Sequence, residues 1–396
     1  MSQISHILNE FEDFAKSVYA PEFPVLLHRP VFAGNEKTYL NECIDSNFVS
    51  SVGAKVTEFE QKIAAFTGAK YAIATVNGTA ALHVALKLAG VGRDDEVISQ
   101  PLTFIATCNA VSYIGALPVF VDVDQSSLGM SYDAVKTFLY EHAELRNGVA
   151  YNKTSGRRLS ACVPMHTFGQ PCDIVSIVAV CKDYNIPVVE DAAESLGSYI
   201  NEQHSGTFGL MGILSFNGNK IITTGGGGMI ITNDADLAER AKYITTTAKI
   251  PHPFEYVHDE VGYNYRLPNL NAALGCAQME QLDYFIMRKR ELALQYESFF
   301  SKSKIAFINE PKGCVSNYWL NALQFDSLNQ RNEFLQHTNA NGVMTRPIWR
   351  LMNHLDMFKH CQNDGLPNAT WLEERIVNIP SSVPVASTKE KTKNTS

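Results

Sequence analysis

Short apolar runs alternate along this chain with longer segments of helical periodicity. Seven runs are rich in β-branched side chains, and several are almost wholly apolar, as in strands that are covered on both faces of a sheet. They span residues 71–76, 95–100, 117–124, 161–166, 186–192, 212–216 and 228–232. Helical patterns such as 78–90 and 174–185 lie between them. This alternation predicts a mostly parallel α/β sheet with helices on both sides.

The pattern changes after residue 270, where long helices precede a smaller mixed region. We therefore expect a large α/β domain and a small α+β domain, preceded by a helical segment. The polar stretch 144–161 between a helix and a strand predicts a hairpin, and the last residues are almost free of apolar side chains, which predicts disorder. The expected boundaries are 1–30, 31–270, 271–385 and 386–396.

Composition narrows the class of protein. The 396 residues are 45% hydrophobic and 19% charged, with a net charge of −8 that argues against nucleic acid or anionic lipid as a partner. No run approaches the ~18 apolar residues of a membrane span, and acids within residues 1–20 make a poor signal peptide. Eight cysteines without C-x-x-C spacing predict buried thiols in a reducing cytoplasm.

In parallel α/β sheets the ligand site lies beyond the carboxyl ends of the strands, and three polar motifs fall there. The first is "VNGTAALHVAL" (76–86), where a strand turns into a helix. Free N–H groups and the dipole at the helix start, with the Thr79 hydroxyl, can hold a phosphate. The alternative is that Asn77 or Thr79 only caps the helix.

The second motif is "VVEDAAES" (188–195), which places Asp191 at the end of an apolar strand. A carboxylate there needs a partner or a cleft, and Glu190 should point to the opposite face. Asp191 could hold a protonated ring nitrogen or a metal ion, or it could be a structural cap or ion-pair partner. Metal is disfavoured because no second ligand lies at a suitable spacing, so we expect no metal site.

The third motif is "SFNGNKIITTGGGGMIIT" (215–232), in which Lys220 precedes the glycines Gly225–Gly228. A nucleotide P-loop has the opposite order, with glycines first. A desolvated lysine with a neutral amine is the form that Schiff-base chemistry requires, although a surface lysine before a turn is the alternative. A phosphate cradle, a carboxylate for a pyridine nitrogen and a Schiff-base lysine together predict a pyridoxal 5′-phosphate site.

At these motifs the sequence resembles the pyridoxal-phosphate-dependent nucleotide-sugar aminotransferases, the DegT/DnrJ/EryC1/StrS family. The likeness covers most of the chain, including "TFIAT", "MHTFGQP", "VVEDAAESLGS", "SFNGNKIITTGGGGMIIT", "GYNYRLPNLNAALG" and "TRPIWRLMNHLDMF". It is strongest to the branch that aminates 4-keto sugars for legionaminic acid and related surface polysaccharides.

The resemblance implies a transferase of fold type I (aspartate-aminotransferase-like) that forms a homodimer with its active sites at the subunit interface. It implies that Lys220 bonds to the cofactor, that Asp191 pairs with the pyridine nitrogen, and that Phe104 stacks on the ring. The phosphate would be bound by Gly78, Thr79 and Ser215. Asn264, or alternatively Arg266, would reach the phosphate of the partner's cofactor.

The chain departs from the family pattern near the lysine. Glu194, expected near the ring hydroxyl of the cofactor, stands where many members have glutamine. Asn217 stands where members commonly have the histidine of "SFH", and Gly225–Gly226 lie in the segment that commonly reads "TGEGG". We interpret these departures as tuning of substrate and cofactor. Arg346, and less so Arg350, are expected to pair with a sugar diphosphate. Aromatic residues in 317–325 are expected in the core of the small domain, the alternative being a shelf that stacks on the nucleotide base.

The reaction implied is ping-pong transfer from an amino acid, by family analogy L-glutamate, to the 4-keto group of a nucleotide-linked 6-deoxy sugar. The product would serve surface polysaccharide, lipopolysaccharide O-antigen or nonulosonic acid synthesis. One alternative is a sugar dehydratase of the same fold, whose members replace the lysine with histidine. Another is a non-catalytic sensor that holds the cofactor. A dinucleotide-binding protein is excluded because no G-x-G-x-x-G follows the first strand.

Overall fold

The computed structural model of the chain describes residues 5–384. The tail predicted to be disordered, 386–396, lies outside the described residues. The α-helices are α1 (Ser5–Tyr19), α2 (Glu36–Asp45), α3 (Ala54–Thr67), α4 (Gly78–Leu88), α5 (Ile105–Ile114), α6 (Tyr132–His142), α7 (Ile174–Asp183), α8 (Ala235–Thr245), α9 (Asn269–Met279), α10 (Leu282–Phe300), α11 (Leu328–Ala340) and α12 (Pro367–Glu373). Short 3₁₀ turns span Thr167–Gly169 and Met352–His354.

The strands are short, as is usual in a layered α/β protein. They are β1 (Tyr71–Thr75), β2 (Glu96–Ser99), β3 (Leu117–Phe120), β4 (Ala143–Arg146), β5 (Val149–Asn152), β6 (Leu159–Val163), β7 (Val189–Asp191), β8 (Tyr199–Ile200), β9 (Gln203–His204), β10 (Met211–Ser215), β11 (Gly228–Thr232), β12 (Lys249–Ile250), β13 (Val257–His258), β14 (Ala306–Phe307), β15 (Cys314–Val315), β16 (Asn321–Gln324), β17 (Arg346–Pro347) and β18 (Ile376–Ile379).

The central sheet has the strand order β3-β2-β6-β7-β10-β11-β1. Parallel ladders join β3, β2 and β6, and parallel bridges from Cys162 to Val188 and from Met165 to Asp191 connect β6 with β7. β7 pairs with β10 in parallel, whereas β11 runs antiparallel between β10 and β1. All strands except β11 therefore run the same way, and their carboxyl ends meet at one edge. The predicted mostly parallel sheet is confirmed.

All seven predicted strands are present, but two predictions were too long. The prediction 117–124 fails after Phe120 because the chain leaves the sheet there. The Asp122 carboxylate then accepts from the backbone N–H groups of Asn368 and Ala369 at the start of α12, both at 2.8 Å. Val121 and Val123 lie beyond the strand but are fully buried, which accounts for the apolar pattern there. The predicted strand 186–192 is likewise longer than the observed strand β7, which spans only Val189–Asp191.

The polar stretch 144–161 contains the predicted hairpin. β4 and β5 pair antiparallel, and the turn residues Asn147 and Gly148 have φ values of 52° and 80°. Two successive left-handed residues of this kind make the turn type that suits a two-residue hairpin. All eight cysteines are free thiols, and all except Cys314 are buried, as predicted.

Helices pack on the sheet and extend to a second, smaller sheet. The latter has the antiparallel order β14-β16-β18-β17. Its inner face is covered by α1, α10 and α11 through an aromatic cluster that includes Phe11, Tyr296 and Phe334. The first helix thus packs on the smaller sheet, while the domain boundaries drawn from the sequence stay predictions. Within residues 5–384, no helix has the length and apolar character needed to cross a membrane.

Candidate active site

One cavity of about 340 Å³ opens at the carboxyl ends of β1, β7 and β10. Seven of the cofactor-binding residues predicted from the sequence line it together, although they come from four separate stretches of the chain. They are Gly78, Thr79, Phe104, Asp191, Glu194, Ser215 and Lys220. The strand-end rule therefore located one shared site.

The start of α4 forms an anion cradle at one side of this cavity. Asn77 is the N-cap, and its Oδ1 accepts from the Ala80 N–H at 2.8 Å, so the capping alternative is also correct. The N–H groups of Gly78 and Thr79 have no partner among the described residues, which leaves them for a ligand. A Cβ on Gly78 would lie 3.1 Å from the Ser215 Cβ and would narrow the cradle.

Asp191 ends β7 with its carboxylate fixed by two donors. Its Oδ2 accepts from the Thr107 hydroxyl at 2.6 Å, and its Oδ1 accepts from the Ala193 N–H at 3.2 Å. Both partners line the same cavity. Since Asp191 has no cationic partner among the described residues, its negative charge is available to a protonated ligand nitrogen.

Glu190 points to the opposite face of the sheet, as predicted. Its carboxylate accepts from the N–H groups of Gly206, Phe208 and Gly209 and pairs with His166 at 3.0 Å. Burial acts to lower the pKa of His166, but the neighbouring Cys172 and Glu190 raise it to about 10. This cluster supports the loop after β9 and takes no part in the cavity.

Lys220 lies in the turn after β10, with its amine held by two groups. Its Nζ is 3.1 Å from Glu194 Oε1 and 4.0 Å from the centre of the Trp319 ring. The other Glu194 oxygen, Oε2, accepts from the Phe168 N–H at 2.9 Å. Burial raises the pKa of the Glu194 carboxyl to about 7, and the charge of Lys220 acts against that rise.

The glycines after Lys220 let two backbone segments come together beside the cavity. A Cβ on Gly228 would lie 2.4 Å from the backbone of Asn77, and one on Gly227 would lie 2.2 Å from the Thr224 hydroxyl. Gly225 has φ of 81°, which disfavours other residues. Because these residues are glycines, the start of β11 can pack closely against the turn that forms the anion cradle.

The sequence missed several residues that complete the cavity. Trp319 was expected only in the core; its indole is buried there, but it also lies against the Lys220 amine. Trp349 and Thr107 line the cavity as well. No local pattern marks these residues, because their proximity to Lys220 and Asp191 arises from contacts between distant segments.

Four predicted residues lie outside this cavity, and one of them, Arg350, is exposed on the segment after β17. The Arg266 guanidinium donates to Asn264 Oδ1 at 3.2 Å, and these two residues bridge to Thr75 and Thr246 respectively. Arg346 lies on β17 and donates to Asn339 Oδ1 and to the Thr345 carbonyl, both at 3.0 Å. A role for Asn264 or Arg266 requires a second subunit, and the roles of all four stay predictions.

The fold and cavity define a pyridoxal-phosphate-dependent transferase of fold type I. The chain belongs to the DegT/DnrJ/EryC1/StrS aminotransferase family, whose sequence profile matches residues 31–393.

Two curated relatives illustrate the family. The chain is 38% identical over 355 residues to GDP-perosamine synthase of Escherichia coli O157:H7, covering 90% of this chain and 92% of that protein. It is 37% identical over 335 residues to the putative pyridoxal phosphate-dependent aminotransferase EpsN of Bacillus subtilis strain 168, covering 84% of each.

Solved structures agree with this fold. The aminotransferase TlmJ from Streptoalloteichus hindustanus superposes with a TM-score of 0.83 at 26% identity, covering 93% of this chain and 96% of that one. DesI, solved with its TDP-sugar product, gives a TM-score of 0.80 at 26% identity, with coverage of 91% and 89%. The predicted fold class and the predicted aminotransferase class are confirmed.

Family membership also confirms the predicted cofactor, since aminotransferases of this family use pyridoxal phosphate. The residues present fit that group. Free N–H donors and hydroxyls suit its phosphate, Asp191 suits a protonated ring nitrogen, and Lys220 is the amine that its aldehyde requires. The legionaminic-type branch stays a prediction, because the curated relatives above carry other names.

Proposed function

We propose that this sugar aminotransferase moves an amino group from L-glutamate to the 4-keto carbon of a nucleotide-linked 6-deoxy sugar. The observation that carries the proposal is the convergence of Lys220, Asp191 and the start of α4 on one cavity. The cofactor, when bound, supplies an electron sink that acidifies the Cα proton of the amino donor.

The chain's own residues provide binding, charge and proton transfer. Gly78, Thr79 and Ser215 hold the phosphate, and Asp191 keeps the ring nitrogen protonated by a charge-assisted hydrogen bond. The Lys220 amine removes the Cα proton of the donor and returns a proton as the amino group is transferred, acting as general base and then acid. Phe104 covers the ring from the start of α5.

Guanosine diphosphate is the nucleotide that the relatives favour. Proteins named GDP-perosamine synthase from Escherichia coli O157:H7, Vibrio cholerae and Caulobacter vibrioides are 38%, 33% and 35% identical to this chain. DesI, by contrast, was solved with a TDP-sugar product. We assign Arg346 and Arg350 to the diphosphate, where a planar guanidinium suits phosphate oxygens.

The working enzyme that we propose is a cytoplasmic homodimer. Asn264 of one subunit, or Arg266 as the alternative, would complete the phosphate cradle of the other. Surface polysaccharide synthesis is supported by a further relative, the spore coat polysaccharide biosynthesis protein SpsC of Bacillus subtilis strain 168, at 34% identity over 282 residues. O-antigen and nonulosonic acid synthesis remain the finer alternatives.

A panel assay tests this function. The purified enzyme, loaded with pyridoxal phosphate and given L-glutamate, should aminate at least one of the GDP-, UDP- and dTDP-linked 4-keto-6-deoxy sugars, followed by mass spectrometry of the product. Asp191→Asn should still bind the cofactor but turn over about 10²-fold or more slower, because the electron sink is weakened. Asp356→Asn, at a fully exposed carboxylate, is the matched control.

Three other outcomes would contradict the proposal. Product formed by loss of water instead of gain of nitrogen would identify a dehydratase. Cofactor binding without turnover on any sugar would favour a sensor. Near-normal rates in Asp191→Asn would remove the role given to that carboxylate.

A further inference from the structure

The two tryptophans of the cavity differ in how much of each indole is buried and hydrogen-bonded within the protein. Trp319 is only 3% exposed, its indole N–H donates to the Asn219 carbonyl at 2.7 Å, and its ring lies against the Lys220 amine. Trp349 is half-buried, and its indole N–H has no hydrogen-bond partner among residues 5–384. Trp349 therefore keeps exposed ring surface and a hydrogen-bond donor for a ligand.

The backbone that carries Trp349 is fixed on both sides. The Ile348 N–H donates at 3.1 Å to the carbonyl of Ile376, the first residue of β18. The Leu351 N–H donates to Glu373 Oε1 at 3.0 Å, and the Met352 N–H donates to the Pro101 carbonyl at 2.9 Å. The last of these contacts links the segment to the turn after β2. A side chain on such a segment is preorganised, as a specific binding residue needs to be.

Phe168 supports the Trp349 ring from one side at a cost in backbone strain. Its ring centre is 4.9 Å from that of Trp349, and it is 1% exposed. Its φ of 58° is unusual for a bulky residue, and its N–H donates to Glu194. Strained residues of this kind persist where the surroundings determine their conformation, commonly at functional sites. The strain here connects the lysine partner Glu194 with the position of Trp349.

The remaining lining residues are mostly committed to the cofactor or to one another. Asp191, Ser215 and the start of α4 match its ring nitrogen and phosphate, and Lys220 matches its aldehyde. Phe104, at 51% exposed, is tilted against Trp349 with 6.3 Å between ring centres. Trp349 comes from a different segment, after β17, and none of the predicted cofactor contacts involves it.

We propose that Trp349 is a specificity-determining residue that packs its indole against the sugar ring of the nucleotide-sugar substrate. A pyranose presents C–H groups on its faces, and an aromatic ring buries such a surface while its N–H can donate to a sugar oxygen. This inference rests on the proposed function, because it requires that a nucleotide sugar enters the cavity.

Binding of unreactive ligands isolates the contribution of the sugar. Titration calorimetry on the holoenzyme would compare GDP with GDP-mannose, UDP with UDP-glucose, and dTDP with dTDP-glucose. None of these sugars has a keto group, so no turnover interferes. For the pair that binds the wild type, the ratio of the two Kd values measures the affinity that the sugar adds.

In Trp349→Ala this ratio should fall about tenfold, the scale of one lost aromatic contact, while the affinity for the free nucleotide is unchanged. Trp349→Phe keeps an aromatic face without the N–H, and its ratio should fall about twofold to threefold. The visible absorbance of the bound cofactor should be the same in all forms. Trp371→Phe, at a half-buried tryptophan outside the cavity, should behave as the wild type.

An unchanged ratio in folded Trp349→Ala would overturn the proposal, and so would a loss of cofactor in both Trp349 variants. Circular dichroism shows whether the alanine variant folds. If it does not, the phenylalanine variant tests the proposal instead, and affinities for nucleotide and nucleotide sugar that both equal those of the wild type overturn it. Failure of the proposed function is distinguishable, because then the wild type itself would bind none of the six ligands and aminate none of the keto sugars, and both proposals would fall.

Discussion

Lys220 and Lys289 are both shielded from water, but of the two only Lys220 lies in the candidate active site. Lys220 is at the end of the central sheet, with its amine beside Glu194 and open to the cavity. Lys289, on α10, is fully buried; its amine contacts His28 Nε2 at 2.9 Å and donates to the Ser381 carbonyl. Among the described residues no carboxylate pairs with Lys289. The same side chain therefore occupies two opposite electrostatic settings.

The comparison shows that a buried lysine need not lie in the candidate active site. Burial lowers the pKa of Lys289 to about 7. A lysine with such a pKa has the neutral amine that Schiff-base chemistry requires, although no sequence motif marks it. Yet Lys289 does not line the cavity that holds Asp191 and the start of α4. The role of a lysine depends on the groups that surround its amine. Lys289 has a structural role, because its hydrogen bond to the Ser381 carbonyl joins α10 to the chain after β18.

The largest difference between the two lysines should appear in catalysis. Lys220→Ala should lose the visible cofactor band and reduce turnover by about 10³-fold or more, because the amine that bonds to the cofactor and moves the proton is gone. Lys289→Met should keep turnover within about threefold, in line with a structural role. Steady-state kinetics and absorbance spectra check both, with the exposed Lys359→Ala as control.

Retained turnover in Lys220→Ala would break the comparison at its catalytic end. A tenfold or greater loss in a folded, cofactor-loaded Lys289→Met would break it at the other end, since a structural lysine should not control the chemistry.

The second prediction concerns stability against pH. An unfolded lysine has a pKa of about 10.4, so between pH 7 and 10 the unfolded chain binds a proton that buried Lys289 does not. Stability from this group therefore rises with pH across that window, by up to about 3 kcal/mol between pH 7 and 9. Lys289→Met should remove this rise, leaving a flatter denaturant midpoint against pH than the wild type. Equal curves for both proteins would show that Lys289 stays charged when folded.

Glu194 should produce a smaller effect with the opposite dependence on pH. Burial raises its pKa to about 7, whereas an exposed glutamate titrates near its usual value of about 4.3. The stabilisation linked to its proton is complete below the unfolded pKa and is lost as pH rises to 7, an effect of about 2 to 3 kcal/mol.

In the cofactor-free protein, the difference in thermal midpoint between Glu194→Gln and the wild type should therefore shift in favour of the variant between pH 5 and pH 8. Asp356→Asn, at an exposed carboxylate, should show no such shift. A constant difference across this range would mean that Glu194 is ionised throughout and that Lys220 dominates its environment.

The smallest predicted effect belongs to the ring beside Lys220. Trp319→Phe keeps an aromatic face for the amine but removes the hydrogen bond from the indole to Asn219, worth about 1 kcal/mol. Turnover should fall about threefold to fivefold with the cofactor still bound. Loss comparable to that of Lys220→Ala would show that Trp319 does more than position the lysine.

Much of the site could be predicted from the sequence because each motif carries its own local cause. A β-branched run followed by Asn77-Gly78-Thr79 is a strand that turns into a helix, and the parallel sheet then brings its end beside Asp191 and Ser215. Lys220 was found for the same reason, since it follows the next strand of that edge. These predictions needed only the period of the pattern and the rule for strand ends.

The excess length of two predicted strands shows where local pattern fails. Val121 and Val123 are as apolar as strand residues, but the chain leaves the sheet there, where Asp122 bonds to Asp364 and to the start of α12. Apolarity reports burial, and burial has several causes that a single sequence does not separate.

The sequence by itself determined the layered fold, the three strand-end motifs and the lysine proposed to carry the chemistry, because periodicity and turn residues act over a few positions. The tertiary structure alone decided that Glu194 and Trp319 hold the Lys220 amine, that Phe168 adopts a left-handed conformation beneath Trp349, and that Lys289 is buried without a carboxylate. Those arrangements join segments far apart in the chain, and such contacts depend on packing geometry, which no local pattern encodes.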